Sequence, residues 1–376
     1  MSAKKRLPFI DIARAFAMLS IVLLHALSTS SHNAEVYRFL MCFNVPLFFV
    51  LSGLTFRVKE NESFWQFLRT KFLRIMLPYF VWSLLFLIPY FIFGRETSTE
   101  LSQSASFDLV GQLKSTFYGN GVAGAIKQNT PLWFLPALFS TEVLFYFIVK
   151  KIKQPKFQIL TLALLVLVGF GSTLLLKEIY LPWGINTALQ IGLCFYAGFL
   201  LKNHVEKLKL PLVLIILLTV GIVAYVFNAK ENIIWSDYLY QNYFLSLLSG
   251  LAFSGVFIGI AQWIKQSRPL EFIGKNTMAI LIFHKLFIVL AQTKLGTVSK
   301  LYANSNIALE LTIAIAVTLV ATLASIVIGL IIRKILPQLI GERKMVGGFC
   351  GGVSDQQSSV RVRVPAAESL PCVPQS

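Results

Sequence analysis

Acidic side chains are scarce in this sequence, and so is charge of any sign. Of 376 residues, 17 are Asp or Glu and 34 are Lys or Arg, so charged residues make up 14% of the chain. A soluble globular domain carries about a quarter. With 56% of residues hydrophobic and a mean hydropathy of +0.70, too little polar surface remains to cover a water-facing globule of this size. Cysteine and histidine are rare as well, with four of each. Cys42 and Cys194 lie inside apolar runs, and Cys350 and Cys372 lie in the C-terminal tail. No metal-ligand spacing and no disulfide framework emerges from them, so no metal is expected.

What the sequence does have is apolar length. Runs near the twenty residues that a bilayer requires fall at about 8–29, 38–56, 75–94, 131–149, 157–176, 183–201, 210–228, 239–263, 275–292 and 308–332. The ninth is the weakest, because His284 and Lys285 interrupt it. The expectation is an all-α, polytopic transmembrane bundle of about ten helices. Lys4-Lys5-Arg6 ahead of the first run has the look of a signal peptide, but Asp11 and Arg14 break its apolar core, so a retained first helix is expected.

The net charge of +17 reads as topology and not as nucleic-acid binding. Basic residues concentrate in alternate connections: Lys4, Lys5 and Arg6; Arg57, Lys59, Arg69, Lys71 and Arg74; Lys150, Lys151, Lys153 and Lys156; Lys202, Lys207 and Lys209; Lys265, Arg268 and Lys275; Arg333 and Lys334. By the positive-inside rule these face the cytoplasm, and an even number of spans leaves both termini there. The expected location is a multi-pass plasma membrane, the inner membrane of a bacterium.

Within segment 60–74, Phe64, Phe67, Leu68 and Phe72 form an apolar stripe at helical spacing, flanked by Arg69, Lys71 and Arg74. Such a helix lies flat at the interface. The loop over 95–130 is polar and is expected outside. From about residue 343 the chain becomes rich in Gly, Ser and Pro and is expected to be a disordered tail, leaving 7–335 as the membrane domain.

Ionisable residues inside a membrane are costly. The first run holds Asp11, Arg14 and His25. Arg14 and His25 are eleven positions apart, about 1100° around a helix, and so within about 20° of one face. His25 lies about 16 Å further along the axis. Asp11 and Arg14 suit an interfacial ion pair as well as a site. His25 sits too deep to reach the interface easily and should face a cavity or a partner. Asn44, Ser52, Glu142 and His284 are further deep polar groups; a structural role for Glu142 and His284 weighs equally with a catalytic one. Trp133 reads as an interface anchor before a substrate platform. Gly53 beside Ser52 reads as a close helix crossing.

Four stretches carry a family likeness: IDIARAFAMLSIVLLH, VPLFFVLSGLTF, FLRTKFLRIMLPY and PLWFLPALFSTE, in that order over residues 7–335. They resemble membrane-bound acyltransferase family 3, the last stretch its fucose 4-O-acetylase-like subgroup. The resemblance implies O-acetylation of a cell-surface or lipid-linked carbohydrate, with acetyl-CoA as cytoplasmic donor. It implies His25 as general base, with Arg14, oriented by Asp11, on the donor. Arg69, Lys71 and Arg74, with Arg14, would pair the donor's phosphates, while Asn44 or Ser52 would serve the oxyanion. Where larger members carry Trp-Ser-Leu closely followed by an acid, this chain has Trp133-Phe134-Leu135, and its nearest acid is Glu142. Two other classes compete: a transporter or flippase for a lipid-linked sugar or small anion, and an inactive assembly component. The absence of an inverted repeat argues against the first, and the presence of both Arg14 and His25 against the second.

Overall fold

A computed structural model of the chain describes residues 7–27, 33–88, 109–121, 126–152, 154–176, 179–228, 235, 242–293 and 306–342. Among these no strand occurs. Thirteen α-helices are described: α1 (Pro8–Leu27), α2 (Ala34–Thr55), α3 (Phe64–Lys71), α4 (Leu77–Leu85), α5 (Leu109–Tyr118), α6 (Phe134–Lys151), α7 (Pro155–Leu175), α8 (Ile185–Leu201), α9 (Pro211–Phe227), α10 (Tyr243–Ile264), α11 (Arg268–Lys275), α12 (Thr277–Thr293) and α13 (Ile307–Ile335).

Among the described residues, six helical stretches are long and apolar enough to cross a membrane, and α11 with α12 makes a seventh if that pair, bent by 83°, is one span. α9 is apolar but shorter, as is the Leu160–Leu175 part of α7. The ninth run, 275–292, coincides with α12, which keeps His284 and Lys285 within one helix. The amphipathic α11 precedes it, with Pro269 in its first turn, and Asn276 closes that helix before α12 sets off in a new direction. The end of the third run, residues 89–94, lies outside the described residues, as do most of the 95–130 loop's start and the whole tail from 343.

α1 is the centre of the bundle. It packs against α2, α10, α11, α12 and α13. Its small residues Ala13, Ala15, Ala17 and Ala26 are all fully buried and let neighbours come close, as small residues do between membrane helices. The periphery has the opposite character. Leu160, Leu164, Leu167 and Leu174 of α7 and Leu212, Ile215, Ile216 and Val226 of α9 are exposed, as is a stripe along α13 through Ile315, Leu319, Leu323 and Val327. Exposed apolar faces of this extent need lipid as solvent.

Gly53 makes the close crossing its sequence context suggests. A Cβ there would lie 1.8 Å from the Phe195 carbonyl oxygen, and one on Gly198 would lie 2.0 Å from that of Val50. α2 and α8 therefore meet backbone to backbone at two glycines.

The interfacial segment is broken where a single helix was expected. Ser63 caps α3 by accepting from Gln66 N–H, with the Gln66 side chain reciprocating at Ser63 N–H. α3 then passes into a π turn over Phe72–Met76. Pro78, just inside α4, has no N–H to offer the carbonyl of Arg74 and its ring crowds that carbonyl, which favours a widened turn there. Phe64 and Leu68 pack against the core and Phe67 is buried, as their stripe predicts, but Phe72 is exposed.

Candidate functional site

Basic side chains of α3, the π turn, α11 and the end of α13 come together at one end of the bundle. There a cavity of about 270 Å³ opens among α1, α2, the α3–α4 segment, α6, the α11–α12 bend and the turn at 337–342. Exposed Arg74 and Lys275 line it, so it reaches the surface. Along α1 it runs from Leu7 past Asp11, Arg14 and Met18 to Ile21, about 21 Å at 1.5 Å per residue. Phe48, Phe134 and Leu281 line its inner part, which is apolar.

Arg14 is fixed from two sides. Its guanidinium lies 3.7 Å from the buried carboxylate of Asp11 and donates to Thr55 Oγ1 at 3.3 Å. Thr55 donates its own proton to the Leu51 carbonyl at 2.9 Å, which leaves the hydroxyl lone pairs turned to Arg14. Ser52 lines the same wall one turn before Thr55.

Lys71 is paired. Its ammonium lies 2.9 Å from Glu142 Oε2 and sits over the rings of Phe56 and Phe67 at 5.3 and 5.4 Å. Both partners line the cavity and neither is more than 16% exposed. Glu342 completes the rim, held by Arg333 through bonds of 2.7 and 2.9 Å. Four cations (Arg14, Lys71, Arg74, Lys275) and three carboxylates (Asp11, Glu142, Glu342) therefore face the space, a balance of one positive charge suited to an anion.

Because Lys71 and Glu142 are largely withdrawn from water, removing one leaves the other uncompensated. Lys71→Ala and Glu142→Ala should each cost about 3–5 kcal/mol, while Lys71→Met with Glu142→Leu together should cost clearly less than the sum. Thermal unfolding in detergent across the four proteins measures this coupling, and additive losses would refute it.

The sequence candidates are divided by this geometry. Asp11, Arg14, Ser52, Lys71, Arg74 and Glu142 come together around the cavity. Arg69 is exposed on α3 and is not among the lining residues. Asn44 is buried in α2, where its Oδ1 accepts from Val45 N–H at 2.6 Å beside Pro46. Trp133 is half-buried against Gly121 and leaves the lining to Phe134 and Leu135. His25 and His284 lie beyond the inner end: Ile21 and Leu281 line the cavity, and each histidine is one helical turn further along its helix. Their rings are 5.3 Å apart, centre to centre.

Four polar lining residues were not site candidates in the sequence: Thr55, Lys275, Thr277 and Glu342. Thr55 had a local signal, since it follows Ser52 by one turn. Lys275 and Glu342 arrive from distant parts of the chain, and no local pattern points to them. No group of three His, Cys, Asp or Glu able to hold a metal occurs among the described residues.

No match is found among curated proteins, and none among solved structures. A family model does match. The acyltransferase domain of family 3 aligns with residues 7–333, which includes every α-helical lining residue but not the turn at 337–342. This membrane-spanning helical chain belongs to acyltransferase family 3.

Proposed function

We propose that the chain transfers an acetyl group from cytoplasmic acetyl-CoA to a hydroxyl of a cell-surface or lipid-linked carbohydrate, with His25 as general base. The observation that carries this reading is the cavity along α1, charged at its mouth, apolar within, and ending one turn short of His25. Its volume of about 270 Å³ falls just under the ~300 Å³ at which pockets begin to hold drug-sized ligands. That suits a thin pantetheine arm, with the nucleotide left at the mouth beside Arg14, Arg74 and Lys275. The basic mouth agrees with a cytoplasmic donor, since alternate loops rich in Lys and Arg face inward.

In this reading the acceptor oxygen attacks the thioester carbonyl as His25 takes the hydroxyl proton. The C–S bond breaks, the imidazolium returns the proton to the CoA sulfur, and an ester and free CoA leave. Arg14, steadied by Asp11 and Thr55, holds the donor on course. Direct transfer needs no acyl-enzyme.

The test is mass spectrometry of surface glycans and lipid-linked sugars from cells with the gene, without it, and with Arg14→Ala. A mass of one acetyl group, present only with the wild-type gene, is expected. Identical glycan masses in all three, from chains shown to be inserted, would overturn the reading.

A further inference from the structure

His284 has no role in the chemistry described so far, yet it is the most confined of the deep polar groups. It is fully buried in α12, and its Nδ1 lies 2.7 Å from the Ile280 carbonyl oxygen. A carbonyl only accepts, so Nδ1 carries the proton and Nε2 holds a lone pair. That Nε2 is buried without a hydrogen-bond partner among the described residues. Buried acceptors are normally satisfied, so an orphan one points to a donor that engages it in the working state. The group facing it across the α1–α12 contact is the ring of His25, tilted by 39°. Two imidazoles joined edge to edge by one N–H···N bond of ordinary length have their centres about 5 Å apart. The observed 5.3 Å matches that separation.

We propose that His284 is a positioning residue for the acyl transfer, accepting a ring N–H of His25 and so holding the opposite nitrogen of His25 as the base. The idea rests on the role given to His25 above. The Ile280 carbonyl fixes the His284 tautomer, and His284 fixes that of His25 in turn. A carboxylate usually orients a working imidazole. Here an uncharged ring does so at a depth where a carboxylate would be expensive to bury.

His284→Leu removes the acceptor, whereas His284→Gln keeps one near the Nε2 position. In native membranes, which contain the acceptor, transfer of labelled acetyl from acetyl-CoA is measured per inserted chain. His284→Leu should lower kcat about 10- to 100-fold with KM for acetyl-CoA unchanged, the range over which outer partners of a ligating imidazole act. His284→Gln should recover most of the loss. Equal activity of wild type and His284→Leu, or no difference between Leu and Gln, would overturn the proposal. A second measurement does not depend on turnover. The chain has only four histidines, so ¹⁵N-histidine NMR in bilayers resolves them. His25 should show one tautomer in the wild type and a mixture in His284→Leu; the same His25 signals in both would also overturn it. Absence of acetyl transfer in the wild type, with the tautomer shift still seen, would refute the proposed function and leave the histidine pairing standing.

Discussion

Replacing His25 with alanine in an inserted chain is expected to lower acetyl transfer by about 10²–10⁴-fold, the usual contribution of a general base, with little change in the apparent affinity for acetyl-CoA. The geometry separates the two quantities. The charged groups that would meet the donor lie at the mouth, and Arg14 is about 16 Å from His25 along α1. His25 is not among the lining residues, which stop at Ile21 and Leu281. In the proposed role, loss of the imidazole removes a group needed in the transition state and leaves ground-state binding intact. Arg14→Ala should do the reverse in part, raising KM, because its guanidinium faces the cavity directly. Steady-state rates against acetyl-CoA concentration, normalised to inserted protein, distinguish the two. A His25→Ala chain within a factor of two of wild type would exclude the imidazole from the chemistry.

The first-helix argument was legible because charge in an apolar run stands out and helical arithmetic places it. That Asp11 and Arg14 share one face of α1 follows from spacing alone; that the cavity continues past Met18 and Ile21 and stops short of His25 does not. What spacing cannot reach is the other wall. Glu142 on α6 meets Lys71 on α3, and Glu342 is turned to the rim by Arg333, through contacts made only when the bundle closes. His25 and His284 are 259 positions apart, and nothing local to either announces the pair. The interfacial segment was legible in kind and not in detail. Its apolar stripe is real through Leu68, but the π turn ahead of Pro78 takes Phe72 out of register. Arg69, grouped by sequence with Lys71 and Arg74, is parted from Lys71 by helical geometry alone, two positions being about 200° around α3. Neighbours in a charged run share a helix but not a face.

The second large effect is expected from a residue with no polar atom in its side chain. Gly274 closes α11 against α1, and a Cβ there would lie 1.9 Å from the Asp11 carbonyl oxygen and 2.5 Å from its carbon. Those are backbone atoms of the most surrounded helix in the bundle, so α1 has no room to retreat. Gly274→Val must instead push α11 outward. That shift carries Lys275, Thr277 and Met278, all of which line the cavity, and loosens the segment of α1 that aims Arg14. Overpacking typically costs about 1–3 kcal/mol and more where backbone is struck. The expected result is a clear fall in thermal midpoint in detergent together with at least a tenfold loss of acetyl transfer. Gly171 in α7 is the matched control, since a Cβ there meets nothing within 4 Å. Gly171→Ala should be neutral or gain up to about 1 kcal/mol, because alanine is the better helix former. If Gly274→Val and Gly171→Ala behaved alike, the close approach of α11 to α1 would not be what holds Asp11 and Arg14 at the cavity mouth. If they differ as expected, a partly buried charge pair on one helix owes its aim to the missing side chain on another.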